Sequence, residues 1–188
     1  WPDVYYKQVD HLLSRTDARI MIEVGVAYGM HYDHLLRKFD SLFYIGIDPY
    51  LAGYDESDGF VNDVHSAYVK SSPASSMDQL FNDVSGHAME DYPLRSKIFR
   101  GVSVDAANHL KDNSVDFIFV DGDHTRAAVF QDLNVLYPKF QESKSWKWNP
   151  KDPLQDKYLI QLFVLIKQSL HPNAQMKLQV LDLLNHLL

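Results

Sequence analysis

Apolar and polar positions alternate along the chain with two different periods. Short, mostly apolar runs are typical of strands buried in a parallel sheet, and they occur at Ile20–Val24 and at residues 42–47, 97–99 and 115–120. Other stretches space their apolar residues as a one-sided helix does, and they predict helices over residues 4–13, directly after Gly29, and over residues 76–84, 106–110 and 127–136. Strands that alternate with helices form βαβ units, so we predict an α/β fold with a parallel sheet flanked by helices.

Residues 50–95 interrupt this regular alternation. They are rich in Gly, Asp, Ser and Pro and contain a single predicted helix, over residues 76–84. Ser76 and Gln79 have the spacing of a capping box, in which two side chains satisfy free N–H groups at a helix start. We therefore expect this helix to begin at Ser76.

The last part of the chain changes character, because no glycine follows Gly122. Residues 157–170 and 173–188 predict two helices with apolar faces, although residues 159–166 could also form a strand. We treat residues 1–188 as a single domain with a core at 15–140 and a divergent helical tail at 141–188. If helices replace the next strand, the sheet has an exposed edge, and that edge or the tail helices could join copies in a homo-oligomer.

Charge and composition exclude several classes of function. The formal net charge is −7 and the pI about 5.6, which argues against a nucleic-acid partner. The chain has no cysteine, which excludes a disulfide or a cysteine nucleophile. Its longest apolar run is too short to span a bilayer, and we expect no membrane partner. The compartment is not fixed by the sequence, with the cytoplasm as the default, and because residue 1 is Trp we expect a fragment or a processed chain.

Candidate binding residues follow the predicted strands, since open parallel sheets bind ligands at the carboxyl ends of their strands. After the first strand, Gly25 and Gly29 allow a tight turn, and the next helix offers free N–H groups. A dinucleotide site would favour G-x-G-x-x-G, but Ala27 stands near the middle position and Glu23 would repel a phosphate. An ordinary βα turn remains the alternative.

Asp48 ends the second predicted strand, 25 residues after Glu23. That is close to the spacing at which an acidic residue binds ribose hydroxyls, and a carboxylate can accept two hydrogen bonds from such a diol. The alternative is a turn residue or helix cap before Pro49. Together with the glycine turn, Asp48 indicates a pocket for a positively charged nucleoside without phosphate, a description that S-adenosylmethionine fits.

Four segments carry a resemblance to a known family: EVGVAYG (23–29), GIDP (46–49), GVSVDAANHL (101–110) and DFIFVDGDHTRAAVFQDL (116–133). With them, the chain resembles a class I S-adenosylmethionine-dependent methyltransferase, and more narrowly methyltransferase family 24, over roughly residues 15–140. The resemblance implies a Rossmann-like sheet. The C-terminal part of that family's usual sheet is here expected to be replaced by helices.

The resemblance also implies roles for individual residues. It assigns the methionine end of the cofactor to the turn that contains Glu23, Gly25, Ala27, Tyr28 and Gly29. Ribose is assigned to Asp48 and adenine to Val102 and Ser103, although relatives commonly have an acidic residue where this chain has Val102. The methyl group and its acceptor are assigned to Asp121 and His124.

Asp121, Asp123 and His124 also have chemistry of their own. Two carboxylates and an imidazole within four residues could hold a divalent cation or take a proton from a hydroxyl, and a histidine is a suitable base near neutral pH. We interpret Asp123 as the cap of the following helix. His31 and His34, one turn apart, suggest metal ligands, but no third ligand is evident and we favour a solvated helix face.

A metal site can be assessed from the same residues. In some relatives the aspartate that matches Asp121 binds magnesium together with carboxylates after the next strand, and no such carboxylates are identifiable in this tail. Magnesium requires several oxygen ligands in near-octahedral geometry. We therefore predict no tightly bound metal in the free protein, with Asp121 as the only candidate ligand and a divalent metal entering only with an acceptor.

These observations favour one function over two others. We predict methyl transfer from S-adenosylmethionine to a small-molecule acceptor, at oxygen, with Asp121 or His124 easing deprotonation of the acceptor. The first alternative is a methyltransferase-like binding or scaffold domain that has lost turnover through its altered tail. The second is an NAD-dependent oxidoreductase, which the missing glycine pattern and Glu23 disfavour. The sequence does not identify the acceptor.

Overall fold

A computed structural model describes residues 3–54, 59–140 and 162–163. Its five strands form one parallel sheet in the order β3-β2-β1-β4-β5, and they are β1 (Ile20–Val24), β2 (Phe43–Asp48), β3 (Ser96–Arg100), β4 (Phe117–Val120) and β5 (Leu162–Phe163). The helices are α1 (Asp3–Thr16), α2 (Met30–Lys38), α3 (Phe60–Tyr68), α4 (Pro73–Asp91), α5 (Ser103–Ala107) and α6 (Arg126–Leu136), and a short 3-10 helix follows at Tyr137–Lys139. This is the predicted Rossmann-like architecture.

The core lies on both faces of the sheet, which explains why its central strands read as continuous apolar runs. Met21 of β1 belongs to one apolar cluster and the next residue, Ile22, to the other, as the alternation of side chains along a strand requires. Helices α1 to α4 contribute to the first cluster and helices α5 and α6 to the second. The strand order reverses between β2-β1 and β4, so a ligand site is expected at the carboxyl ends of β1 and β4.

The region between β2 and β3 differs from its prediction. It holds two helices, because α3 was not predicted and α4 begins well before Ser76. The side chain of Ser72 caps α4 by accepting a hydrogen bond from the N–H of Ser75 at 3.2 Å, and Pro73 follows at the first helical position, which proline favours. Ser76 lies inside the helix, fully buried. The predicted capping box was therefore wrong, and α5 also begins earlier than predicted.

The prediction of a helix over residues 157–170 was wrong at two residues. Leu162 and Phe163 form β5, which pairs in parallel with Ile118 and Phe119 of β4. At Leu162–Phe163 the alternative of a strand is confirmed, since a short apolar run does not distinguish a buried strand from a helix. The edge of β4 is accordingly paired at these two residues, and the homo-oligomer stays a prediction. The rest of the two predicted tail helices lies outside the described residues.

Helix length and polarity give a further fact about the described part of the chain. None of the helices described is both long enough and apolar enough to cross a bilayer.

Candidate functional site

A cavity of about 850 Å³ opens at the carboxyl ends of β1 to β4. Its walls come from the turn after β1, the residues after β2, the start of α5 and the turn after β4. Of the predicted site residues, all but Gly29 line this cavity; they are Glu23, Gly25, Ala27, Tyr28, Asp48, Val102, Ser103, Asp121 and His124. The topology therefore brings together residues that lie about a hundred positions apart in the sequence.

The glycines of the first turn are required by the packing of the protein itself. Gly25 has a φ of +89°, and a Cβ there would lie 2.3 Å from the backbone oxygen of Asp121. Gly29 has a φ of +75°, and a Cβ there would lie 2.4 Å from a ring carbon of Tyr32. Both positions thus exclude a side chain before any ligand is considered. A role in close approach to the cofactor stays a prediction.

Asp48 holds the same turn in place. One carboxylate oxygen accepts hydrogen bonds from the N–H groups of Val26 and Ala27 at 2.9 and 3.0 Å, and the other accepts from the N–H of Tyr50 at 2.8 Å. Burial raises the pKa of Asp48 in spite of these three donors. A carboxylate has about four acceptor positions, so part of its capacity remains for a ribose hydroxyl. The turn role is observed, and the ribose role stays a prediction.

Glu23 is the centre of a buried polar network. One of its oxygens lies 2.7 Å from Nδ1 of His31, and the other accepts a hydrogen bond from the hydroxyl of Tyr44. Burial, together with the charge of Glu23, raises the pKa of Tyr44 well above its usual value. The ring of Tyr6 from α1 stacks on His31 with 4.6 Å between centroids. This network fixes the position of a carboxylate at the cavity wall.

His31 and His34 do not share the predicted solvated face. His31 is only 4% exposed, because the first turn of α2 packs against β1. His34 points to α1, where its Nε2 lies 2.9 Å from Asp10. The two histidines thus pair with different carboxylates, although both rings stack on Tyr6, with 4.6 and 5.0 Å between centroids. The interpretation of a solvated face was wrong for His31.

Asp121 and His124 face each other across the turn that follows β4. The Nε2 of His124 lies 3.9 Å from Oδ1 of Asp121, and the two side chains are 31% and 12% exposed. An imidazole at this distance from a carboxylate is stabilised when it takes up a proton. The pair can therefore accept a proton from a ligand in the cavity.

Asp123 has a different structural role from the predicted one. Its Oδ1 accepts a hydrogen bond from the N–H of Thr125 at 2.7 Å, which stabilises the turn before α6. The cap of α6 is Thr125, whose side chain accepts from the N–H of Ala128 at 3.3 Å. The prediction of Asp123 as the cap was wrong, because the helix begins at Arg126.

Asp132 is a site residue that sequence reasoning missed. It lies within α6, is 8% exposed and accepts a hydrogen bond from the hydroxyl of Ser103 at the start of α5. Burial raises the pKa of Asp132, the Ser103 hydrogen bond opposes that shift, and the charge of Asp123 adds to it. No local sequence pattern marks an aspartate in mid-helix as a cavity residue, and only the packing of α5 on α6 places it there.

Acidic residues dominate the charged side chains of the cavity wall. Six carboxylate residues line the cavity: Glu23, Asp48, Asp63, Asp121, Asp123 and Asp132. Among the described residues that line it, none is a lysine or an arginine. Asp63 lies in α3, so its position was missed together with that helix. A wall of this kind favours a cationic ligand and opposes phosphate groups.

The described residues do not assemble a metal site around Asp121. Within the described ranges, three converging ligand atoms occur at Asp33, His87 and Asp91 of α2 and α4, and none of these residues lines the cavity. Asp33 already binds Arg37 at 2.9 Å and the hydroxyl of Tyr92 at 2.6 Å. The absence of a tightly bound metal in the free protein stays a prediction.

Comparison with known families agrees with the motifs found in the sequence. The sequence model of methyltransferase family 24, described as a methyltransferase domain, matches residues 22–144. Among curated proteins, no match was found.

Solved structures of similar fold include three proteins of known source. A Staphylococcus aureus protein described as a candidate caffeoyl-CoA O-methyltransferase has a TM-score of 0.51 and 14% identity, covering 73% of this chain and 53% of its own. Spermidine synthase from Thermotoga maritima has a TM-score of 0.45, 16% identity and coverages of 73% and 40%. A SAM-dependent methyltransferase from Archaeoglobus fulgidus has a TM-score of 0.39, 14% identity and coverages of 72% and 48%. This chain spans about half the length of these structures or less, and the first of them supports the fold alone.

Proposed function

The chain belongs to the methyltransferase domain family that its residues 22–144 match, and on that premise we propose that it methylates a small-molecule acceptor at oxygen with S-adenosylmethionine. The observation that carries the proposal is the cavity itself. It gathers the turn after β1, Asp48, the start of α5 and the Asp121–His124 pair at the point where the strand order reverses. Ligands bind at this place in open parallel sheets.

The charged residues that line the cavity fit S-adenosylmethionine. The molecule carries a positively charged sulfur and an amino group but no phosphate, and the described wall offers carboxylates without lysine or arginine. Glu23 would face the methionine end, Asp48 would bind the ribose, and Val102 and Ser103 would pass the adenine. Ser103 already donates its hydroxyl proton to Asp132, so toward adenine that hydroxyl could only accept a hydrogen bond.

The residues of this chain would act mainly by positioning and proton transfer. When bound, S-adenosylmethionine supplies a methyl group on sulfur, and the sulfur keeps the electron pair of the bond that breaks. His124, supported by Asp121 at 3.9 Å, would take the proton of the acceptor hydroxyl as its oxygen bonds to the methyl carbon. The cavity walls would align the acceptor with the methyl group, and such alignment is a major source of rate enhancement.

Two alternatives are distinguished by binding. A scaffold domain that has lost turnover would bind S-adenosylmethionine without transferring its methyl group. An NAD-dependent oxidoreductase would need to hold a pyrophosphate at the first turn, and the carboxylate of Glu23, which lines the cavity there, opposes that charge.

Calorimetric titration of the whole chain with S-adenosylmethionine, its demethylated product and NAD tests the proposal. We expect both sulfur compounds to bind with micromolar affinity and NAD to show no binding at millimolar concentration. Binding of NAD alone would refute the proposal in favour of the oxidoreductase. Binding of the sulfur compounds without methylation of any acceptor in a mass-spectrometric screen of hydroxylated small molecules would favour the scaffold.

A variant of the proton acceptor refines the same test. With an acceptor identified, His124→Gln should lower kcat by about 10²-fold or more and leave the affinity for the demethylated cofactor within about twofold. Because His34 lies outside the cavity wall, His34→Gln serves as the control and should change neither value. An equal kcat for His124→Gln and the unchanged protein would remove His124 from the mechanism.

A further inference from the structure

The cavity wall has six carboxylate residues, more than the sulfonium and amino groups of the cofactor would pair with. Glu23, Asp48 and Asp132 are buried with polar partners, while Asp63 is exposed at the mouth. The guanidinium nearest in the chain to this region belongs to Arg100, which is not among the residues that line the cavity. It donates hydrogen bonds to the carboxylate of Asp78 and to the backbone carbonyl of Tyr50, a residue of the wall, so its charge already has a carboxylate partner.

The mouth of the cavity is also rich in exposed apolar surface. Of the large apolar residues that the structure shows exposed, four line this cavity: Tyr28, Met30, Leu51 and Tyr54, which are 44%, 61%, 55% and 45% exposed. Exposed apolar groups gathered at one opening indicate a surface that binds something.

Aromatic rings and a carboxylate meet at this mouth. The ring of Tyr28 packs edge-to-face on Phe60 with 5.3 Å between centroids. Asp63 follows Phe60 by three positions in α3, so both lie on the same side of that helix. The charge of Asp63 contributes to a raised pKa of Tyr28, after the larger effect of burial. Aromatic faces beside a carboxylate are the surroundings in which an organic cation is stabilised.

We propose that the methyl acceptor is a small phenol whose alkyl side chain carries an amino group, positively charged at neutral pH, and that carboxylate-bearing or phosphate-bearing acceptors are excluded. The ammonium group binds beside Asp63 and the aromatic rings of the mouth. The phenol hydroxyl extends toward Asp121 and His124. This inference rests on the proposed function, because it concerns the second substrate of the same cavity.

Three phenols with short para side chains that differ in the terminal group and its charge test the inference. Tyramine is a cation, 4-ethylphenol is neutral and 4-hydroxyphenylacetate is an anion, and each is titrated into the whole chain saturated with the demethylated cofactor. We expect tyramine to bind at least tenfold more tightly than 4-hydroxyphenylacetate, with 4-ethylphenol between them. The ratio should shrink as salt is added, because salt screens charges near the surface.

Asp63→Asn removes the charge at the mouth with little change of shape. It should reduce the preference for tyramine over 4-hydroxyphenylacetate by about threefold to tenfold. Asp40→Asn makes the same chemical change at an exposed residue outside the cavity wall and should leave the preference unaltered. The melting temperature of both variants checks that the fold is retained.

The outcomes separate this inference from the proposed function. If the demethylated cofactor does not bind, the proposed function fails. If it binds and 4-hydroxyphenylacetate binds as tightly as tyramine, the charge argument is wrong. If it binds and none of the phenols does, the aromatic acceptor is wrong. If Asp40→Asn changes the preference as much as Asp63→Asn, the assignment to Asp63 is wrong.

Discussion

Asp48 shows, at the scale of a single residue, how a carboxylate at a strand end serves the backbone before it serves a ligand. Its three hydrogen bonds come from N–H groups of Val26, Ala27 and Tyr50, at 2.8 to 3.0 Å. These donors lie in two separate turns, so the carboxylate joins the end of β1 to the end of β2. A residue that shapes the first turn also shapes any cofactor site built on it.

Asp48→Ala should therefore lower the free energy of unfolding as well as cofactor affinity. We expect a loss of about 2–4 kcal/mol, since the buried N–H groups lose a charged acceptor. Urea denaturation measures the stability, and titration with the demethylated cofactor measures the affinity. The exposed Asp40→Ala is the control, with a change within about 0.5 kcal/mol. Reduced affinity at unchanged stability would mean that Asp48 serves the ribose alone.

Gly25 gives a second test at the scale of the residue, and Gly53 serves as the matched control. Both have positive φ, but a Cβ at Gly25 would lie 2.3 Å from the oxygen of Asp121, while a Cβ at Gly53 would meet nothing within 4 Å. Gly53→Ala should cost about 1 kcal/mol for the left-handed backbone. Gly25→Ala should cost at least about 3 kcal/mol because a backbone clash is added. Equal urea midpoints for the two variants would contradict the contact between β1 and the turn after β4.

Helix boundaries are decided at the scale of the element, and α4 is the clearest case. Ser72 and Pro73 provide a cap and a first helical residue, yet Ser76 and Gln79 have the spacing of a cap as well. The second pair lies inside the helix because Ser76 packs against α3, with its hydroxyl 3.0 Å from His65. Two helices packed together thus override a local signal.

Ser72→Ala tests where α4 begins. Loss of the cap should lower the free energy of unfolding by about 1 kcal/mol. Gln79→Ala removes only an exposed hydrogen bond to Asp83 one turn along and should cost about 0.3 kcal/mol. Thermal and urea denaturation of the two variants compare them directly. A larger loss for Gln79→Ala would place the start of the helix at Ser76 after all.

At the scale of the whole molecule, elements distant in the sequence bury the carboxyl groups of the cavity and so change their pKa. Burial raises the pKa of both Asp48 and Asp132. A carboxyl group with a raised pKa in the folded state binds its proton more tightly there than in the unfolded chain. These groups therefore lower stability as pH rises from about 3.9, the unfolded value, through their higher folded pKa, and the full cost is present at neutral pH.

Asp132→Asn should make this cost visible. Asparagine keeps an acceptor oxygen for the hydroxyl of Ser103 but carries no charge. We expect the variant to be more stable than the unchanged protein at pH 7, with the difference shrinking as pH falls toward 4. Urea denaturation of both proteins across this range measures it. A difference that grows in acid would mean that the folded protein favours the charged form of Asp132.

The sequence by itself determined the alternation of strands and helices and the residues that follow each strand. These are local properties, because side-chain period and turn residues act over a few positions. Every predicted site residue except Gly29 consequently lines the cavity, since parallel strands bring their carboxyl ends to one edge of the sheet whatever the details of packing.

Only the tertiary structure decided which polar groups meet at that edge. The bond from Ser103 to Asp132 joins residues 29 positions apart, and the bond from Tyr44 to Glu23 spans 21. No local pattern encodes such partners. They depend on which helix faces lie against each other, and that is fixed only when the apolar faces of all the elements are buried together. For the same reason, α3, with Asp63 at the mouth of the cavity, became visible only in the folded chain, and only the pairing with β4 decided in favour of a strand at β5.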